Sequence, residues 1–89
     1  MFYNYVLKSE NGGDLYTGRT NDLKRRLEEH NKGLSPSTKR YRPWKLIYYE
    51  ACLDESDSKR REGYLKTTQC RRLLGRRLKE FFYKENKVK

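Results

Sequence analysis

Eight tyrosines in 89 residues constrain this chain more than any other feature, because it has little else from which to build a core. Hydrophobic residues, tyrosine included, amount to 34%, and charged residues to 38%. A chain this short buries only roughly 60–65% of the surface its unfolded form exposes, which leaves room for one thin core and excludes a multi-domain reading. With three Phe, one Trp and eleven Leu, the tyrosines can close such a core if their hydroxyls reach water or a partner. The chain therefore reads as one folded domain over 1–83 followed by a polar, basic tail over 84–89.

The local patterns give the elements. Tyr3, Tyr5 and Leu7 alternate with Asn4, Val6 and Lys8, Asn11-Gly12-Gly13 supplies a turn, and Leu15-Tyr16-Thr17 resumes an extended run, which predicts a β-hairpin. Thr20-Asn21-Asp22 offers capping oxygens for a helix from Leu23 to Lys32 that Gly33 ends. Arg26 and His30, four apart, share one stripe of it. After a polar loop over Leu34–Pro43, Trp44–Cys52 is the third strand. Asp54 or Ser56 caps a helix to about Lys66, and Thr67 or Thr68 caps a last one with Cys70, Leu73, Leu74, Leu78, Phe81 and Phe82 as its apolar stripe. The order ββαβαα is that of a small α+β layer fold.

The net charge of +10 favours an anionic partner, nucleic acid above all. Residues 1–58 are nearly neutral, with 10 basic and 9 acidic side chains, whereas residues 59–89 carry 12 basic and 3 acidic ones. Arg71, Arg72, Arg76, Arg77 and Lys79 crowd the solvent face of the last predicted helix and read as a sequence-independent phosphate rail. No base-reading helix-turn-helix accompanies them. The chain has no long apolar run and no signal-like start, so a cytoplasmic protein away from membranes is expected. Cys52, Cys70 and the lone His30 cannot complete a zinc site without a carboxylate, and both cysteines read as reduced thiols.

Several spaced residues together resemble the GIY-YIG nucleases. Tyr3-Asn4-Tyr5 stands where that family has its first motif, although the usual Gly-Ile before the tyrosine is replaced, and Tyr16-Thr17-Gly18 stands for the second, eleven residues after Tyr5. Arg26 falls where the family's helical arginine lies, Arg19 where the nuclease domain of the excision-repair protein UvrC has a lysine, His30 at a family His/Tyr position, and Glu62 at the metal-binding glutamate. The resemblance is nearest to small stand-alone bacterial members and to Slx-type nucleases, and covers about residues 3–83. It implies a three-stranded antiparallel sheet flanked by helices.

It also implies a metal-dependent DNA endonuclease, structure-selective or weakly specific, of the kind that serves DNA repair. Glu62 would hold one divalent cation, Mg²⁺ first and Mn²⁺ second, and Arg26 would pair with the scissile phosphate through its planar fork. The base would be Tyr5 or Tyr16, aided by Arg19 or the metal, or else a metal-bound hydroxide that both tyrosines orient. His30 is placed to hydrogen-bond one of the phenols. DNA is the expected partner ahead of RNA, with a separate targeting protein to choose the substrate. The competing reading is a non-catalytic nucleic-acid-binding module of the same fold.

Overall fold

A computed structural model describes residues 1–88 of the chain. Strands β1 (Phe2–Ser9) and β2 (Leu15–Thr20) form the hairpin, followed by helix α1 (Leu23–Asn31), a single 3₁₀ turn (Lys39–Tyr41), strand β3 (Trp44–Cys52), and helices α2 (Glu55–Leu65), α3 (Thr68–Arg77) and α4 (Lys79–Val88). The sheet is antiparallel in the order β2-β1-β3, so the architecture is the α+β arrangement expected, with β1 at its centre.

Strand alternation divides the molecule into two faces. Tyr3, Tyr5 and Leu7 point to one side, and there Tyr5, Leu7 and Trp44 form a buried cluster against which Tyr16, Leu46 and the α1 residues Leu23 and Leu27 pack. On the other side Ser58 Oγ of α2 donates to the buried Asn4 Oδ1 at 3.1 Å, and Val6, Leu65, Cys70 and Leu74 are buried. A fully buried aliphatic side chain such as Leu7 contributes roughly 1.5–3 kcal/mol, so two thin layers around one strand suffice for a chain of this size.

Local chemistry sets the helix ends. Asp22 accepts from the Arg25 amide, Asp54 from those of Ser56 and Asp57, and Thr67 from that of Cys70. Gly33, at φ +79°, follows α1 and lets the Leu34 amide reach back to the Glu29 carbonyl at 3.0 Å. Asn31, on the last turn of α1, accepts from the Trp44 amide at 2.6 Å and donates to its carbonyl at 3.1 Å, clamping the helix to the start of β3.

The C-terminal region departs from the sequence reading. The single last helix is two, because Leu78 leaves helical geometry at φ −105° and ψ 30°. The turn brings α4 to the start of β3, where Lys45 pairs with Glu85 at 3.7 Å and lies over the Phe81 ring. Leu73, expected in the apolar stripe, is 44% exposed, while Cys70 and Leu74 are buried. Residues 84–88, read as a tail, continue α4; Lys89 lies outside the described residues.

Candidate active site

The centre of the site is a buried hydrogen-bonded line. The Tyr5 hydroxyl lies 2.8 Å from His30 Nε2, and His30 Nδ1 lies 2.7 Å from Thr38 Oγ1. All three residues are fully buried or nearly so. Thr38 donates onward to the Ser35 carbonyl, which leaves its oxygen to accept from Nδ1–H and turns the Nε2 lone pair toward Tyr5. The Tyr5 proton is thereby directed at His30. The charge of Arg26 also acts on that phenol; its guanidinium pairs with Glu29 at 3.2 Å and is about one-third exposed.

This arrangement moves two titrations. Burial pushes the Tyr5 phenol up to about 12, against the opposing influence of the Arg26 guanidinium. Burial, and then the Arg26 charge, lower His30 to about 4. Since the unfolded chain takes up that proton near pH 6.5 and the folded chain does not, stability rises with pH between about 4 and 6.5 and is lost as pH falls. Urea unfolding is expected to show a loss of ~3 kcal/mol across that interval. His30→Gln should lack this part of the slope; an unchanged slope would mean that His30 is not held neutral.

Tyr16 closes the cluster differently. Its ring is partly buried, 5.1 Å from the His30 ring, 6.4 Å from that of Tyr5 and 6.2 Å from that of Trp44, centroid to centroid. No protein group among the described residues hydrogen-bonds its hydroxyl. The positive charge of Arg26 acts on both phenols. Gly18, directly opposite Tyr5 in the sheet, has a steric reason to be glycine: a Cβ there would lie 2.4 Å from the Tyr5 hydroxyl and 3.1 Å from the Tyr16 ring.

Arg19 and Glu62 form a second group, on the α2 side. Arg19 is paired with Asn4 in the sheet and shares its face; its guanidinium lies 3.4 Å from Glu55 and 3.6 Å from Glu62, and its buried Nε has no hydrogen-bond acceptor. Lys66, one turn after Glu62, lies 3.6 Å from the same carboxylate. The charge of Glu62 is the weakest of the influences on the Tyr5 phenol. The expected residues thus fall into two groups, Tyr5, Tyr16, Arg26 and His30 on the α1 side of the sheet and Arg19 with Glu62 on the α2 side. Thr38 was not legible as part of the site, since nothing in a polar loop marks which hydroxyl will be buried. Lys66 had a signal in its i+4 spacing from Glu62.

The donor set suits a metal that takes few protein ligands. Among the described residues no three His, Cys, Asp or Glu side chains gather as a chelating cluster. The Glu62 carboxylate is three-quarters buried and accepts no hydrogen bond within 3.5 Å from its two cationic neighbours, so its lone pairs are open to a hard cation that keeps most of its waters.

The five C-terminal cations do not form one rail. Arg71 turns back to the sheet and donates to Thr17 Oγ1 at 3.3 Å, and Arg77 lies over the Tyr48 ring. Arg72 and Arg76 are exposed one turn apart on α3, and Lys79 lies beyond the helix break. A helical wheel gives neighbours on one helix and cannot anticipate the partners each side chain finds elsewhere.

Comparison with known proteins agrees with this geometry. The GIY-YIG catalytic domain matches residues 1–77. A UPF0213 protein of Clostridium perfringens is 40% identical over 67 residues, covering 74% of this chain and 71% of that protein. A UPF0213 protein of Streptococcus agalactiae is 45% identical over 65 residues, covering 72% and 73%, and one of Bacillus pumilus is 41% identical over 66 residues, covering 73% and 66%. No solved structure matches. GIY-YIG domains are nuclease domains that generally use divalent metals, which sets nucleic acid as the substrate class at the level of the family. Among the described residues no helix is long and apolar enough to cross a membrane. With the catalytic-domain match spanning most of its length and relatives at 40% identity and above, the chain belongs to the GIY-YIG family.

Proposed function

We propose that this protein is a DNA endonuclease that hydrolyses phosphodiester bonds with Tyr16 as general base, Arg26 on the scissile phosphate and Glu62 as the protein ligand of one divalent cation. The observation that carries the reading is the unequal placement of the two phenols. Tyr5 is buried, pushed up to about 12 and committed to His30, while Tyr16 keeps its hydroxyl free of protein partners beside the same guanidinium. A group already donating its proton into a buried histidine is badly placed to take another from water.

Tyr16 acts as its phenolate: it accepts the proton of the attacking water and becomes the neutral phenol, the oxygen attacks phosphorus, and the departing 3′ oxygen takes a proton from solvent. Arg26 offsets the charge that grows on the phosphoryl oxygens. Tyr5 is a positioning residue: its hydroxyl is fixed by the His30–Thr38 line and stands as a polar neighbour of the Arg26 guanidinium, which Glu29 pairs on its other side. The cation, Mg²⁺ or failing that Mn²⁺, would supply Lewis-acid stabilisation of the leaving oxygen when bound at Glu62. Arg19 and Lys66 temper the charge of that carboxylate.

DNA is preferred to RNA, and specificity comes from DNA structure or a targeting partner, since the exposed Arg72, Arg76 and Lys79 offer backbone contacts without base readout. A role in DNA repair and a cytoplasmic location, where Cys52 and Cys70 stay reduced, complete the proposal. The test is nicking of supercoiled, branched and single-stranded DNA. Wild type should cut in Mg²⁺ and stop in chelator, and Arg26→Ala should lose about 10²–10³ in rate. Salt-sensitive DNA binding without cleavage would replace the enzyme by a non-catalytic binding module.

A further inference from the structure

The aromatic row of the α1 face does not end at Tyr5. Tyr49 of β3 stands directly opposite Tyr5 in the sheet, and Tyr3, two residues before Tyr5, meets Tyr49 edge-on at 6.1 Å between centroids. These two rings, with Asn21, Asp22, Leu23 and Lys24 from the start of α1, line a groove of about 380 Å³. Tyr49 is 53% exposed although it is a large ring at the centre of a strand, because α1 covers the face only from Leu23 onward.

The polar rim is suited to a backbone phosphate. Lys24 makes no ion pair among the described residues. The only carboxylate of the groove, Asp22, is occupied as the α1 cap, accepting from the Arg25 amide at 3.2 Å. Leu23 and Arg26 are three residues apart on α1, about 4.5 Å along the axis, which is of the order of one nucleotide step. The groove thus lies at the start of the helix that carries Arg26.

We infer that this groove is a base-stacking subsite, in which an unpaired DNA base next to the scissile phosphate lies on the Tyr49 ring, with Tyr3 supporting that ring and Lys24 holding the adjoining phosphate. The inference rests on the endonuclease reading and extends it to substrate choice. Stacking on an exposed tyrosine tolerates any base but requires that the base be unpaired, so the subsite favours single strands, flaps and bulges over intact duplex.

Binding in chelator separates this subsite from the chemistry. Fluorescence anisotropy would compare a mixed-sequence single strand with a strand of equal length made of abasic sugar-phosphate. Wild type is expected to bind the natural strand about tenfold more tightly or better. Tyr49→Ala should bring the two affinities together while leaving the abasic strand bound as before, and Tyr49→Trp should keep the difference. An undiminished preference for the natural strand in Tyr49→Ala would overturn the subsite and leave the nuclease reading intact. Failure of wild type to bind either strand would overturn both. Because Tyr49 is exposed, unchanged thermal unfolding of Tyr49→Ala is expected to accompany the loss.

Discussion

Tyr16→Phe is expected to lower the nicking rate about 10²–10⁴-fold, the range associated with losing a positioned general base. The substitution deletes one hydroxyl that has no protein partner, so the ring contacts with His30 and Trp44 and the stability of the fold persist. Tyr5→Phe is expected to behave in the opposite sense. It strips the buried His30 Nε2 of its partner, which costs roughly 1–3 kcal/mol of stability, and it takes a polar neighbour from Arg26. Its activity should fall less than that of Tyr16→Phe. The pH profile separates the roles: a rate that rises with pH in wild type should keep that rise in Tyr5→Phe and lose it in Tyr16→Phe. A rise kept by both variants would place the base elsewhere.

The two tyrosines were equivalent as letters in a sequence, and packing made them different. Each alternates correctly on a hairpin strand, and either could have been the base; what separates them is that His30 arrives from α1 at 2.8 Å from one hydroxyl and only beside the ring of the other. Features governed by neighbours along the chain were legible. The alternation of β1, the Asn11-Gly12-Gly13 turn, the aromatic and branched run of Trp44–Cys52, and the caps Asp22, Asp54 and Thr67 all appear where short-range rules put them. The break at Leu78 was not legible, because it is fixed by contacts of α4 with Lys45, more than thirty residues earlier. The same holds for the cations: Arg71 finds Thr17 and Arg77 finds Tyr48 on strands that a reading of one helix does not contain. The order of Tyr5, Tyr16 and His30 along the chain gave no sign that their rings would share one cluster, nor that Gly18 is glycine because the Tyr5 hydroxyl and Tyr16 ring fill the space of a Cβ.

Glu62→Gln provides the second large effect. Its side chain is isosteric, and the ion pairs it gives up with Arg19 and Lys66 are partly solvated contacts at 3.6 Å, of a kind worth about 0–1 kcal/mol each. The variant should therefore fold normally and bind DNA at least as tightly as wild type, since it removes a negative charge next to the phosphate path. Cleavage should nevertheless drop by about 10³-fold, because the amide oxygen retains only a fraction of the carboxylate's attraction for a hard divalent cation. Raising Mg²⁺ should recover little of the rate in Glu62→Gln and more of it in Glu62→Asp, whose shorter carboxylate keeps the charge. This pattern distinguishes a metal ligand from a carboxylate that only orients Arg19, for which the two variants would respond to Mg²⁺ alike. Wild-type cleavage by Glu62→Gln would remove the carboxylate from the mechanism and leave Arg26 and Tyr16 as the only groups acting on the phosphate.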